Sequence, residues 1–341
     1  MSQNKDKICL LAIESSCDDT GAAVIINGKM HSNVVATQKI HQKYGGVVPE
    51  LASREHLQNI IPVVTEALKE ANITTQELSA VAYAQGPGLM GSLMVGSSYA
   101  RALSSALEVP SIGIDHLKAH VMAHFIDEPK PLFPFICLLV SGGHTQIILV
   151  KAYDQMEILG KTHDDAAGEA FDKTAKMMGL PYPGGPLIDK YAQLGNPEAY
   201  AFSYAKMPGY DYSFSGFKTA VLYFLRDNKE KDPSFIDKNL NDICASVQRH
   251  IVTSLLKNLK KAVRDSGVTQ VALAGGVAAN SSLRNAFLAM GEENQWETFI
   301  PAFEYCTDNA AMIAVAGHFA FLNGDFTGLD EVPYARFGMK V

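Results

Sequence analysis

One pattern occurs twice in this chain: two short apolar runs joined by a tight polar turn. The first copy covers residues 8–14 and 21–26, and the second covers residues 135–140 and 145–150. Short β-rich runs around a tight turn are typical of an antiparallel hairpin. A hairpin of this kind early in each half of the chain is an internal repeat, and it predicts two related lobes.

The rest of the chain alternates between the strand and helix patterns. Helices are predicted over 49–69, 92–106, 167–178 and 240–264, and strands over 81–84, 111–114 and 271–274. Strands that alternate with helices indicate an α/β fold. Three prolines make the stretch 127–134 the best candidate for a linker.

An acidic composition limits how this chain can contact nucleic acid. Its 341 residues include 29 Lys and Arg against 36 Asp and Glu, which gives a net charge of −7. Nucleic-acid-binding domains are usually basic, so any contact with RNA must come from a local patch or a partner. The five cysteines are scattered without a C-x-x-C pair, which argues against a disulfide framework and a thiolate zinc site. The polar first residues predict no signal peptide, and no apolar run reaches the ~18 residues of a membrane span, so we expect a soluble cytoplasmic protein.

Two histidines, His116 and His120, follow the predicted strand 111–114. On a helix, a spacing of four places both imidazoles on one face, where they can bind one metal ion. Such pairs are also common as ordinary surface or core residues, and the Glu of the zinc-protease motif H-E-x-x-H is absent. Asp308 is the candidate third ligand, although a helix N-cap would also explain that carboxylate. Two His and one carboxylate would suit Fe(II) or Zn(II) and leave positions open for substrate.

Glycine-rich turns follow three of the predicted strands. They are 86–91, Ser141-Gly142-Gly143 and 275–280. Glycine lets backbone N–H groups approach an anion closely, although it also serves ordinary tight turns. The first of these loops lacks the Lys-Ser/Thr of a P-loop. Three such loops, each after a strand, predict a bound nucleotide.

Acidic residues cluster around the third predicted helix. Asp164 and Asp165 precede it, where acids usually stabilise the positive end of the helix dipole. Asp172 lies inside the helix, where capping cannot explain it, and Asp189 lies one turn into the next helix. Asp172 and Asp189 could accept hydrogen bonds from ribose or amine groups, or they could belong to a solvated helix face.

Taken together, these residues resemble the tRNA threonylcarbamoyladenosine-forming transferases, the TsaD family, once called glycoproteases or O-sialoglycoprotein endopeptidases. The match opens with Ile13-Glu14-Ser15-Ser16-Cys17-Asp18-Asp19-Thr20. Further matching segments follow in order: 45–50, 86–91, His116 with His120, 139–145, 164–173, 182–186, 213–216, 275–280 and 306–309. The resemblance covers nearly the whole chain and is closest to the bacterial type, which has no appended kinase domain.

The resemblance implies an α/β, actin-like fold of the sugar-kinase/Hsp70 type with two lobes, each an RNase-H-like mixed sheet with helices. We expect residues 1–130 with 306–341 in the N-terminal lobe and 131–305 in the C-terminal lobe, with the nucleotide and metal site in the cleft between them. The implied reaction transfers a threonylcarbamoyl group from threonylcarbamoyl-adenylate to an adenosine N6 amine. That adenosine lies beside the anticodon in tRNAs that read codons beginning with A.

The resemblance also assigns residues. His116, His120 and Asp308 would hold one divalent metal ion per chain, Fe(II) or alternatively Zn(II). The positions that match the family's substrate site are Leu139, Val140, Ser141, Gly142, Gly143, Asp172, Gly185, Asp189 and Asn280. A nearby carboxylate could receive the N6 proton, and we assign that role to Asp18. Asp19 stands where family members often have Glu, which leaves its role open.

The implied partners are tRNA, the adenylate donor and, as in bacterial members, a shorter paralogue of the same fold and a small ATPase, with no membrane. Three rival functions are an ATPase or sugar kinase of the same fold, a metallopeptidase, and a non-catalytic nucleotide-binding scaffold. A kinase would need a catalytic carboxylate beside the γ-phosphate and would not need a His-His-Asp set. Retention of all three candidate ligands argues against a scaffold that has lost its activity.

Overall fold

A computed structural model of the chain describes residues 7–328 and 330–335. The described residues form two compact units, one drawn from Met1–Glu128 and Ala302–Val341 and the other from Pro129–Pro301. None of the helices in these two ranges is long and apolar enough to cross a membrane.

The first unit is built on a mixed five-stranded sheet in the order β3-β2-β1-β4-β5. Its strands are β1 (Cys9–Glu14), β2 (Asp19–Ile26), β3 (Lys29–Thr37), β4 (Ala80–Gly86) and β5 (Ser111–Asp115). β1 and β2 form the predicted antiparallel hairpin, and β3, which the sequence analysis did not predict, pairs antiparallel with β2. The β1-β4 and β4-β5 pairs are parallel. Every residue of β1 and β4 is buried, because helices cover the central strands. Those helices are α1 (Pro49–Glu70), α2 (Met90–Leu107), α3 (His116–Met122) and α9 (Ala310–Asn323).

The second unit repeats this topology in the order β10-β9-β6-β7-β8. Its strands are β6 (Phe135–Val140), β7 (Thr145–Val150), β8 (Met156–Lys161), β9 (Gln270–Ala274) and β10 (Glu297–Phe299). Again an antiparallel meander of three strands continues into two parallel strands. Its helices are α4 (Ala167–Met177), α5 (Gly185–Ala192), α6 (Ser215–Lys231), α7 (Phe235–Ser266) and α8 (Ser281–Asn294). The repeat predicted from the two hairpins is therefore confirmed.

Parallel pairing decides where the polar turns lie. In the first unit, β1, β4 and β5 run in the same direction, so Glu14 and Asp115 lie at the same edge of the sheet. In the second unit, β6 and β9 end together, so Val140 lies beside Gly275. Gly275 has a φ of +89°, and a Cβ there would lie 2.4 Å from the Val140 carbonyl oxygen, so this approach requires glycine.

A buried histidine in the second unit, His250, is not among the residues that the sequence analysis assigned to a site. His250 on α7 is stacked between the rings of Tyr204 and Phe217, with ring centroids 4.3 Å and 4.1 Å away. Burial, together with the neighbouring Arg249 charge, lowers the pKa of His250 to about 4. The folded state therefore keeps this imidazole neutral.

We expect His250 to make the second unit sensitive to acid. Because the unfolded chain binds a proton near pH 6.5 that the folded state does not accept, the free energy of unfolding should fall as pH falls from about 6.5 to 4, by about 1.4 kcal/mol per pH unit. Denaturant titrations across this range should show a shallower slope for His250→Phe, which keeps the ring stack. An identical slope in both proteins would contradict the prediction.

Candidate active site

The two histidines of the first unit are placed by the helix that follows β5. Asp115 is the N-cap of α3, and its carboxylate accepts hydrogen bonds from the backbone N–H groups of Leu117 (2.9 Å) and Lys118 (3.0 Å). His116 and His120 consequently share one face of α3, with ring centroids 4.7 Å apart. Both residues are buried.

Asp308 reaches the same place from the other end of the sequence. The N-cap of α9 is Asn309, whose side chain accepts from the backbone N–H of Met312 at 3.0 Å, so the N-cap interpretation of Asp308 is wrong. The Asp308 Oδ1 lies 3.1 Å from His120 Nε2 and 3.5 Å from His116 Nε2. Potential ligand atoms of all three residues lie within 4.8 Å of one another.

Glu14, which the sequence analysis did not assign to the site, is its fourth member. This carboxylate is fully buried at the end of β1, and its Oε2 lies 3.0 Å from His116 Nδ1. Its other oxygen accepts a hydrogen bond from the backbone N–H of Ser16. Metal-ligating histidines usually bond a carboxylate through their second nitrogen. The four residues therefore fit a divalent metal held by two imidazole Nε2 atoms and one carboxylate oxygen.

The electrostatics of this cluster favour a cation. Burial alone lowers the pKa of His116, but the charges of Glu14 and Asp308 outweigh it and hold that pKa well above its ordinary value. Burial alone raises the pKa of Asp308, but the two imidazoles hold it well below its ordinary value. The buried carboxylates thus attract positive charge, which a divalent ion would supply more effectively than a proton.

Two further carboxylates, Asp18 and Asp19, lie where the turn after β1 leads into β2. Burial raises the pKa of Asp18, and the charge of Asp308 adds to the increase. Burial raises the pKa of Asp19 to about 7, again with a contribution from Asp308. One Asp19 oxygen is buried without a hydrogen-bond partner in the described part of the chain. Burial thus raises the pKa of both carboxyls, and the pKa of Asp19, about 7, suits a group that takes up a proton near neutral pH, which is the property that a general base requires.

In the second unit, the glycine-rich turns converge after β6 and β9. Gly168, at the start of α4, donates its backbone N–H to the Ser141 carbonyl oxygen at 3.3 Å. A Cβ on Gly168 would lie 2.6 Å from that oxygen, so only glycine allows this approach. Gly142 and Gly143 are exposed, with open space where a side chain would point. Their backbone is therefore accessible to a ligand.

Asp172 and Asp189 both bind the starts of neighbouring helices. One Asp172 oxygen accepts from the backbone N–H groups of Gly184 (2.8 Å) and Gly185 (3.1 Å), at the start of α5. Asp189 accepts from the Ser281 backbone N–H (3.0 Å) and hydroxyl (2.7 Å), at the start of α8. Neither carboxylate belongs to a solvated helix face. Each is a fixed acceptor beside the glycine-rich turns.

Asn280 connects these turns to a cavity. Its side-chain oxygen accepts from the backbone N–H of Leu283 (2.9 Å), and its amide nitrogen donates to Gln248 (2.7 Å). A cavity of about 510 Å³ lies between α5, α7 and α8. Its walls combine apolar and polar side chains, among them Ala192, Ala245, Val252, Gln248, Arg249 and Ser281.

Asp164 and Asp165 have a different role from the one predicted. Neither acid caps α4, whose first N–H, from Ala167, is donated to Thr145 Oγ1 at 2.9 Å. Asp164 instead accepts from the backbone N–H groups of Phe214 (2.7 Å) and Ser215 (3.2 Å), at the start of α6. Asp165 forms ion pairs with Lys173 (2.9 Å) and Lys218 (2.8 Å). These acids therefore hold α6 against the segment before α4.

Two α/β units of this repeated topology define a protein of the actin-like class. A solved structure of full-length HypF in its phosphate- and nucleotide-bound form matches 94% of this chain and 47% of its own, with a TM-score of 0.64 and 13% identity. Similarity at this low identity establishes the fold alone, and it confirms the predicted fold class.

The sequence comparisons then identify the family. The TsaD family, described as tRNA N6-adenosine threonylcarbamoyltransferase, matches residues 29–315. A protein of that description from Cytophaga hutchinsonii is 60% identical over 336 residues, which is 98% of each chain. A second, from Porphyromonas gingivalis, is 55% identical over 337 residues, 97% of this chain and 99% of the relative. This chain belongs to the TsaD family.

Proposed function

We propose that this chain carries out its family's reaction with the residues of the two sites described above. As a member of the TsaD family it is an acyltransferase that forms threonylcarbamoyladenosine in tRNA. The observation that carries the residue assignment is the convergence of His116, His120 and Asp308, which lie far apart in sequence. Because its substrate is tRNA, we infer that the protein acts in the cytoplasm.

The reaction needs a nucleophile, an activated carbonyl and a proton acceptor. The adenosine N6 attacks the carbonyl carbon of threonylcarbamoyl-adenylate; the new N–C bond forms, and the bond from that carbon to the phosphate oxygen breaks to release AMP. An exocyclic amine is a weak nucleophile, so positioning supplies much of the acceleration. We assign the N6 proton to Asp18, and Asp19 is the second candidate because its pKa of about 7 suits a base at neutral pH.

In this proposal, His116, His120 and Asp308 hold one divalent metal ion, Fe(II) in the first instance and Zn(II) as the alternative. When bound, such an ion with open coordination positions polarises a carbonyl oxygen as a Lewis acid. Glu14 orients His116 through Nδ1, which leaves Nε2 directed at the ligand position. A histidine that binds a metal through one ring nitrogen usually bonds a carboxylate through the other, as His116 and Glu14 would do here.

The second unit supplies the adenylate site in this proposal. The N–H groups of Gly142 and Gly143, in the turn that begins at Ser141, bind the phosphate, because glycine backbone can approach an anion closely. Asp172 and Asp189 accept from the ribose hydroxyls, and the cavity beside Asn280 takes the adenine, since it combines apolar walls with polar side chains. The matched positions Leu139, Val140 and Gly185 border these groups.

The charge balance supports a requirement for partners. A net charge of −7 disfavours long-range attraction to tRNA, so the isolated chain should bind the polyanion weakly. We therefore propose that a shorter paralogue of the same fold and a small ATPase assist this chain, as in bacterial members of the family.

The test is direct transfer. The purified chain is incubated with threonylcarbamoyl-adenylate and unmodified tRNA, with and without the two partners, and the digested tRNA is analysed for the modified nucleoside. We expect feeble multiple turnover by the chain alone and restoration by the partners. Absence of product in both reactions would contradict the proposed function, and robust turnover by the chain alone would contradict the partner requirement.

Ligand preference separates the transferase from a kinase of the same fold. A non-hydrolysable threonylcarbamoyl-adenylate analogue should bind more tightly than ATP, because it adds contacts at the metal centre to the adenylate contacts. His116→Ala should weaken the analogue far more than ATP in calorimetric titrations. Equal affinities that are unaffected by this substitution, together with fast ATP hydrolysis, would identify an ATPase instead.

A further inference from the structure

The segment between β3 and α1 borders the carboxylates assigned to proton transfer. Thr37, the last residue of β3, is paired with Asp19. The next residue, Gln38, donates its backbone N–H to the Asp18 carbonyl oxygen at 3.3 Å. The chain then forms a 3-10 helix, Lys39–Tyr44, that ends at Gly45 with a φ of +66°. Neither candidate site described above uses this segment.

Buried polar groups hold the segment in one conformation. Gln38 is buried and donates its side-chain amide to the Ala52 carbonyl oxygen at 3.2 Å. The buried His41 donates from Nε2 to Gln38 Oε1 at 2.9 Å, and its Nδ1 accepts from the Val48 backbone N–H at 3.3 Å. Both nitrogens of His41 and both ends of the Gln38 amide are therefore satisfied. A segment anchored in this way presents its outer side chains with little loss of entropy on binding.

The outer side chains are two lysines and a tyrosine. Lys39 and Lys43 are exposed, and Tyr44 is 60% exposed. Many lysines of this chain are paired with carboxylates, for example Lys69, Lys151 and Lys238. No carboxylate among the described residues forms an ion pair with Lys39 or Lys43. Two free cations thus lie beside an exposed aromatic ring, at the edge of an acidic site.

We propose that Lys39, Lys43 and Tyr44 bind the single-stranded anticodon loop of the tRNA next to the target adenosine, an inference that rests on the proposed function. Unpaired nucleic acid is typically bound by cations along its backbone and by aromatic rings that stack on its bases. The positive charges of Lys39 and Lys43 complement the phosphates of an RNA backbone. The carboxylates of Glu14, Asp18, Asp19 and Asp308 repel phosphates, so cations flanking the site are needed to hold the backbone while one base enters.

The test compares single substitutions in the metal-loaded full chain. Binding of a fluorescent anticodon stem-loop is measured by anisotropy over a range of salt concentrations, and the KM for tRNA is measured with the partners present. Lys39→Ala and Lys43→Ala should each weaken RNA binding about threefold to tenfold and reduce the salt-dependence slope by about 0.7. Tyr44→Ala should weaken binding about tenfold, whereas Tyr44→Phe should retain it, because stacking needs only the ring.

Lys29→Ala is the matched control. Lys29 is exposed and lies at the other end of the nine-residue strand β3, about 26 Å from Thr37. It should leave RNA affinity, KM and the salt slope unchanged. Affinity for the donor analogue should stay constant in every variant.

Two results would overturn the proposal. One is an unchanged stem-loop affinity and salt slope in all three Ala variants. The other is a loss of affinity for the donor analogue with no loss of affinity for RNA, which would show that these lysines bind the donor phosphate. Stem-loop binding is measured without turnover, so it tests this proposal separately from the proposed function. A wild-type chain that binds RNA through these residues but transfers no threonylcarbamoyl group would contradict the proposed function and leave the RNA-binding proposal in place.

Discussion

His120→Ala is expected to remove bound metal and abolish transfer while the fold remains intact. The variant loses one of three donor atoms, so the metal affinity should fall further than the about 10- to 100-fold typical of a lost outer hydrogen bond. Metal content per chain after dialysis, transfer activity and circular dichroism provide the measurements. Wild-type protein should carry about one ion per chain.

Substitutions of Glu14 should lower the metal affinity by a smaller, graded amount. Glu14→Gln keeps an acceptor for His116 Nδ1 but removes the charge, and we expect the metal affinity to fall about tenfold; Glu14→Ala removes both and should cost about 100-fold. His31→Ala, at an exposed histidine on β3, serves as the matched control. Full metal occupancy and normal transfer in His120→Ala would show that the metal assignment is wrong.

Asp172→Ala is expected to weaken both the donor analogue and ATP. The substitution leaves the N–H groups of Gly184 and Gly185 without their acceptor, which should destabilise the start of α5 by about 1–3 kcal/mol. We expect at least a tenfold (about 1.4 kcal/mol) loss of affinity for either nucleotide in calorimetric titrations, and a similar loss for Asn280→Ala.

The isosteric variant Asp172→Asn separates two contributions of this carboxylate. Its amide oxygen can still accept from Gly184 and Gly185, so the free energy of unfolding should stay close to that of the wild type. If the carboxylate also accepts from ribose, nucleotide affinity should still fall. Wild-type affinity in both variants would remove Asp172 from the adenylate site.

The spacing of apolar residues predicted those helices and strands that bury one continuous face. The two hairpins and the helices before residue 110 agree with the structure to within a few residues, because apolar residues there recur with one clear period. Helix α7 begins at Phe235, five residues before its predicted start. Its first turn, Phe-Ile-Asp-Lys, mixes apolar and charged residues and shows no clear period. Asp232 fixes the preceding turn by accepting from the Ser234 backbone N–H at 3.0 Å.

The candidate sites were only partly predictable. The spacing of His116 and His120 places them together on a helix, but no local pattern connects them to Asp308, and family resemblance supplied that link. Glu14 could have been suspected from its place at the end of β1, because parallel strands bring their ends to one edge. Asp164 was assigned to the start of α4, because a sequence motif points only to backbone groups that are close along the chain. The side chain instead binds the backbone at the start of α6, which lies about 50 residues further on.

The discontinuity of the first unit has a consequence for the order in which this protein is made. Residues from Ala302 onward complete that unit, and Asp308 contacts His120 although the two residues lie 188 positions apart in sequence. Chains emerge from the ribosome N-terminus first, at about 5–20 residues per second, and domains fold as they become complete. The unit Pro129–Pro301 is therefore fully synthesised before the synthesis of the first unit is complete. A nascent chain therefore carries both histidines and Glu14 throughout the synthesis of the second unit but lacks Asp308, so the centre is completed only after that unit has been made.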